Sequence, residues 1–172
     1  MRAEERRQAI LEHLRQSSRP VSAGFLAERF SVSRQAVVGD VALLRASGAD
    51  ISATPRGYVI LKPSQDLVRR VACRHDAAGM EAELCAVVDQ GCSVLDVIVE
   101  HPIYGQLTGP LQLSSRYDVG QFLARCAGEG ARPLSDLTGG IHLHTLSCPD
   151  EDAFCRVREA LGAMGILWEG EE

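Results

Sequence analysis

Apolar residues recur at helical spacing through most of the first forty-six positions and are broken only twice by short turns. That pattern constrains the fold more than any other feature of the chain. Ile10, Leu11 and Leu14 mark a helix within Glu4–Gln16, which Arg19-Pro20 ends. Ser22 is placed to cap a second helix carrying Phe25, Leu26 and Phe30. After the tight turn Ser31-Val32-Ser33, Ser33 is placed to cap a third. This one has Val37, Val38, Val41, Leu43 and Leu44 on its expected apolar side and Gly48 as its stop. Ile51–Leu61 then reads as two short strands around Pro55-Arg56-Gly57. Three helices followed by a hairpin make a winged helix-turn-helix over residues 1–61.

Such a head binds DNA by laying its third helix in the major groove and reading bases from that helix's N-terminal end. Here that end presents Ser33, Arg34 and Gln35. Arg can bond guanine, and Gln adenine, in bidentate fashion. Arg56 at the wing tip suits phosphate or minor-groove contact, with Tyr58 beside it and Arg45 near the end of the third helix as further candidates. Charge agrees with this assignment. Residues 1–61 hold nine Arg against six acids, a net +3, while residues 62–172 hold nine bases against 17 acids, a net −8. A basic head precedes an acidic body. The opening Arg6-Arg7-Gln8-Ala9-Ile10-Leu11-Glu12-His13-Leu14, the segment Val21–Phe30, Ser31–Val37 and the wing Arg56-Gly57-Tyr58 together resemble the biotin-operon-repressor type of winged helix. The resemblance implies sequence-specific binding to double-stranded operator DNA, usually by a homodimer.

Lys62-Pro63-Ser64-Gln65-Asp66 reads as a short linker. The body, 67–172, alternates strand and helix patterns. Leu67–Cys73 is a strand, Ala78–Asp89 a helix, Ser93–Glu100 and Gln106–Leu113 strands around His101–Gly105. A helix from Ser115 to Ala127 precedes a Gly-rich loop over 128–138. Then come the strand with His142 and His144, a helix from Pro149, and a short closing strand Gly165–Trp168. The whole is α+β, with an α/β sandwich on a mixed or antiparallel sheet following the winged helix. No apolar run approaches the roughly 18 residues of a membrane span, and the charged N-terminus is no signal segment, so a cytoplasmic location is expected. The six cysteines form no CxxC pair and are expected to be thiols rather than ligands.

Gly139-Gly140-Ile141-His142-Leu143-His144 puts two imidazoles on one face of a strand. Together with a carboxylate they suit zinc, nickel, iron or cobalt. His75 and Glu83 are the upstream candidates. Within one helix they would lie about 12 Å apart along the axis and about 80° apart around it. They can share an ion only if His75 precedes the helix and Glu83 lies inside it. His101 is a further candidate, as ligand or as a neighbour of the ligands.

Three blocks of the body match the three-histidine, or 3H, domain in order. They are Arg74-His75 with Met80–Leu84, Val99–Gly105, and Gly140–Leu146. Head and body together resemble the niacin-responsive transcriptional repressors of NAD biosynthesis and niacin uptake. That resemblance implies a transition metal, nickel or zinc, held by His75, Glu83, His142 and His144, and nicotinic acid as co-repressor. Tyr104 and Arg74 are candidates to orient the ligand. Two other readings fit the residues: a regulator for which the metal itself is the signal, and a metal-dependent enzyme with a DNA-binding head.

Overall fold

Serine hydroxyls set the starts of the second and third helices of the head. In the computed structural model, which describes residues 2–61, 65–130 and 132–170, Ser22 Oγ accepts from the Phe25 amide and Ser33 Oγ from the Ala36 amide, each at 3.1 Å. Each bond satisfies one of the helix's otherwise unpaired first-turn donors. Lys62, Pro63 and Ser64 of the expected linker lie outside the described residues. The chain divides into two compact units, Met1–Ser64 and Gln65–Glu172. Among the described residues no helix is long and apolar enough to cross a membrane.

The first unit holds α1 (Ala3–Gln16), α2 (Ala23–Arg29), α3 (Arg34–Ala46), β1 (Ser52–Thr54) and β2 (Gly57–Val59). Its core joins Ile10, Leu14, Leu26, Val37, Val41 and Ile51. Ser31 turns between α2 and α3 with φ +53°. The wing is tied to the helices by a feature absent from the sequence reading. Val21 and Tyr58 exchange two backbone hydrogen bonds of 2.8 Å, which adds Val21 to the hairpin as a third extended segment. Gly57 permits that approach, since a Cβ there would stand 2.3 Å from the Val21 carbonyl oxygen.

Two expectations for α3 need correction. Val38 and Leu43 are not on its buried side; they are 44% and 52% exposed. A further polar residue, Asp40, is buried instead and meets the Arg6 guanidinium, with Nε 2.6 Å from Oδ2. That ion pair fixes α1 against α3.

The second unit holds β3 (Leu67–Arg74), α4 (Met80–Val88), β4 (Ser93–His101), β5 (Gly105–Leu113), α5 (Arg116–Glu129), β6 (Ile141–Cys148) and α6 (Glu151–Ala163). The sheet is antiparallel, in the order β3-β6-β4-β5. β6 is inserted between β3 and β4, which therefore run parallel and are joined by α4. Val71, Cys73, Val94, Leu113, Leu146 and Cys148 pack against Leu84, Val87, Val119 and Val157 of the helices. Three local expectations change. The start of the α4 region is a 3-10 turn, Ala77–Gly79, capped by Asp76. The 128–138 loop contains a second 3-10 turn, Leu134–Thr138. The closing strand is reduced to a single bridge between Leu167 and Cys73.

Candidate functional site

The β3–β6 register decides what surrounds the paired histidines. Cys73 lies directly across from His142 and Val71 across from His144, so all four side chains share the helix-covered face. β3 ends at Arg74, and His75 follows it before the 3-10 turn, while Glu83 projects from α4. His75 therefore precedes the helix and Glu83 lies within it.

These elements bring the four residues together. Glu83 Oε2 is 2.6 Å from His75 Nε2 and 3.3 Å from His144 Nε2, and Oε1 is 2.9 Å from His142 Nε2. Glu83, His142 and His144 are buried, Glu83 at 1% exposed, and His75 is partly buried. The opposite ring nitrogens are held by backbone carbonyls. His75 Nδ1 lies 2.5 Å from Asp76 O, His142 Nδ1 2.9 Å from Gly140 O, and His144 Nδ1 2.6 Å from Asp96 O. The last carbonyl is aimed by the irregularity between Val94 and Asp96, where β4 carries one residue more than β6.

A carbonyl only accepts, so each Nδ1 carries a proton and donates, and each neutral ring presents its Nε2 lone pair to Glu83. Three lone pairs gathered on a carboxylate repel one another unless a cation stands among them. The cation can be protons on the rings or a metal ion. The donor set fits a divalent transition ion, with the Nδ1 bonds fixing ring orientation as they do in metal-bound histidines.

The proton alternative leaves its mark on the metal-free cluster. Burial pushes the Glu83 carboxyl up, but the imidazoles, His144 foremost, outweigh it and hold it well below its ordinary value. The hydrogen bond to Glu83 raises His75; for His144, burial acts downward, and the Glu83 charge, the hydrogen bond to Glu83 and the Asp96 carbonyl together outweigh it. The signs set a pH window. The depressed Glu83 contributes stability above its ordinary 4.5, lost as pH falls through its lowered value. The raised histidines contribute stability below their ordinary 6.5, lost as pH rises through their raised values. Metal-free protein melts highest between about 4.5 and 6.5 and lower on the alkaline side. Bound metal reverses the alkaline trend, because it requires neutral rings. Melting curves across pH, with and without metal, check both; a metal-free melting temperature that climbs steadily above 6.5 contradicts the account.

Cys73 is a group the sequence reading set aside. Its Sγ, a Glu83 oxygen and a His142 nitrogen lie within 4.8 Å of one another. Burial, and then the Glu83 charge, hold the thiol protonated, and it donates to that carboxylate. No spacing motif marks Cys73; only the β3–β6 register brings it in.

Two glycines seat His75. A Cβ at Gly79 would come within 2.7–2.9 Å of the His75 side chain, and one at Gly140, where φ is +93°, within 2.4 Å of the His75 carbonyl oxygen. Gly140→Ala therefore displaces His75 and strains the backbone together. Metal affinity is expected to fall by about 10- to 100-fold, the usual cost of disturbing what orients a ligand. Metal titration monitored by calorimetry checks this; unchanged affinity contradicts it.

The remaining candidates lie elsewhere. His101 Nδ1 accepts from the Ile103 and Tyr104 amides at 3.1 and 3.3 Å, closing the β4–β5 hairpin. The Tyr104 ring lies tilted against His101 and is 74% exposed. Arg74 alternates with Cys73, faces the other side of the sheet, and lies over the Trp168 ring at 4.9 Å. None of the three lines the cavity beside the cluster. That cavity, of about 240 Å³, has His75, Glu83, His142 and His144 in its wall and is otherwise mostly apolar, with Leu111, Phe122 and Leu134.

In the head, Arg34 and Gln35 are exposed on the first turn of α3, and Ser33 is spent as its cap. Val38, one turn beyond Arg34, shares their outward face. Arg45 Nε donates to Ile51 O at 2.7 Å and its guanidinium lies over Tyr58, so both residues brace the wing.

A winged helix with an exposed polar reading end, in one chain with a domain enclosing metal-type donors, defines a two-domain DNA-binding regulator. Comparison with known proteins narrows the class. Residues 6–59 match an HTH domain and residues 68–170 the 3H domain. The chain is 42% identical over 166 residues to the probable transcription repressor NiaR of Thermotoga maritima, covering 96% of this chain and 95% of that one. It is 41% identical to the transcription repressor NadR of Bacillus subtilis, over 94% and 92% of the two chains. The chain belongs to this family of transcription repressors built from an HTH head and a 3H domain. Neither relative bears an enzyme's name.

Proposed function

We propose that the chain is a cytoplasmic, homodimeric repressor of genes for NAD biosynthesis and niacin uptake. In this reading nicotinic acid is its co-repressor. A nickel or zinc ion is held by His75, Glu83, His142 and His144. Bound there, such an ion would supply a Lewis-acid position for the effector; His75, Glu83, His142 and His144 would hold it and shape the space beside it. One observation carries the reading: the buried donor cluster forms part of the wall of a small, mostly apolar cavity. A cavity of about 240 Å³ is at the small end for ligand sites and suits a single-ring molecule.

Operator DNA is read by Arg34 and Gln35 on bases in the major groove. Arg45, Arg56 and Tyr58 in and near the wing make backbone contacts. Val38 adds an apolar contact of the kind that suits a thymine methyl. Elemental analysis of purified protein beside a His142→Ala/His144→Ala variant tests the metal half of the proposal. Bound nickel or zinc is expected in the first and is lost from the second; equal content in both refutes it.

A further inference from the structure

Among the described residues, the cavity beside the cluster has one cationic wall residue other than the histidines: Arg132. A guanidinium is a fixed cation, whereas imidazoles must be neutral to bind an ion. Nothing in the sequence patterns of the body drew attention to it, because it sits in the segment between α5 and β6 where no motif falls.

Its side chain is exposed, but its backbone is held at the cavity's edge. Pro133 follows, which restricts Arg132 to extended backbone. The 3-10 turn Leu134–Thr138 comes next and is anchored twice. Leu134 Cδ1 lies over Gly109 of β5, close enough that a Cβ there would meet it at 3.1 Å, and the Gly140 amide donates to Ser135 O at 2.8 Å. The second bond links the Arg132 segment directly to the glycine that seats His75.

We propose that Arg132 is the carboxylate-binding residue of this cavity. It seats a small planar aromatic carboxylate whose ring lies among Val97, Leu111, Phe122 and Leu134. The electrostatics favour this end for the anion. Glu83 repels a second carboxylate, while a guanidinium offers a planar pair of donors matched to one. The apolar walls stabilise the ring without regard to its substituents. Arg132 therefore supplies the discrimination between an acid and its neutral amide. This rests on the reading of the cavity as the effector site.

Calorimetric titration of the metal-loaded full chain with nicotinate, nicotinamide and benzoate tests it, in wild type, Arg132→Met and Arg132→Lys. Arg132 is exposed, so both variants are expected to melt with the wild type. Arg132→Met is expected to weaken nicotinate about 10- to 100-fold, the range of a lost charge-assisted hydrogen bond, and to leave nicotinamide unchanged. Arg132→Lys recovers part of the loss. Equal nicotinate affinity in wild type and Arg132→Met overturns the inference. If wild type binds benzoate through Arg132 but not nicotinate, the inference stands and the nicotinate reading falls. If neither carboxylate binds, both fall.

Discussion

Glu83→Ala lowers the stability of metal-free protein by about 3–5 kcal/mol, the range for removing one partner of a buried charged cluster. Glu83 is 1% exposed and its two oxygens serve three imidazoles. Without it those rings remain fixed at Nδ1 by the carbonyls of Asp76, Gly140 and Asp96, with nothing to accept from or balance their Nε2 sides. Cys73 loses its acceptor as well. For a domain of this size the melting temperature is expected to drop by roughly 10–20 °C. Glu83→Gln separates charge from shape: it keeps the packing, so it loses less stability, yet it gives up most of the metal affinity. Thermal melts and metal titrations of the two variants read these effects. An unchanged melting temperature in Glu83→Ala contradicts the central place given to this carboxylate.

The second large effect lies in the head. Arg34→Ala with Gln35→Ala is expected to weaken operator binding roughly 30-fold or more, since each base contact is worth about 1–3 kcal/mol. Both side chains are exposed, and alanine favours the helix, so circular dichroism and melting of the head stay as in wild type. The loss is confined to the operator and leaves non-specific DNA binding, carried by phosphate contacts, less affected. Equal loss on random DNA contradicts base reading by this turn.

What the sequence made legible was local. Ser22 and Ser33 were readable as caps because a hydroxyl at a helix start bonds an amide only three residues on. His142 and His144 share a face by strand geometry alone. The exclusion of a single helix holding both His75 and Glu83 followed from helical pitch, and the structure places the two residues on different elements. What stayed hidden depends on contacts distant in sequence. Val38 and Leu43 looked like core because apolar type does not say which sector of α3 another helix will cover. Asp40 meets Arg6 across 34 residues, and no pattern links them. Cys73 joins the cluster only through its register with β6, and Val21 joins the wing only through Tyr58. Arg132 needed the folded 3-10 turn to come into the cavity wall. Arg74, Tyr104 and His101 stand close to the motifs in sequence, but strand alternation turns Arg74 to the other face of the sheet and the β4–β5 hairpin holds His101 and Tyr104 at its tip.

In the proposed repressor, the cavity beside Glu83 controls the head's hold on DNA. The direct measurement is fluorescence anisotropy of a labelled candidate operator fragment, titrated with metal-loaded and metal-free protein, with and without nicotinate. An effector coupled to DNA binding shifts affinity by about 5- to 150-fold. A rise of that size with nicotinate in the metal-loaded protein, absent from the metal-free protein, is the predicted result. Identical DNA affinity with and without nicotinate contradicts it.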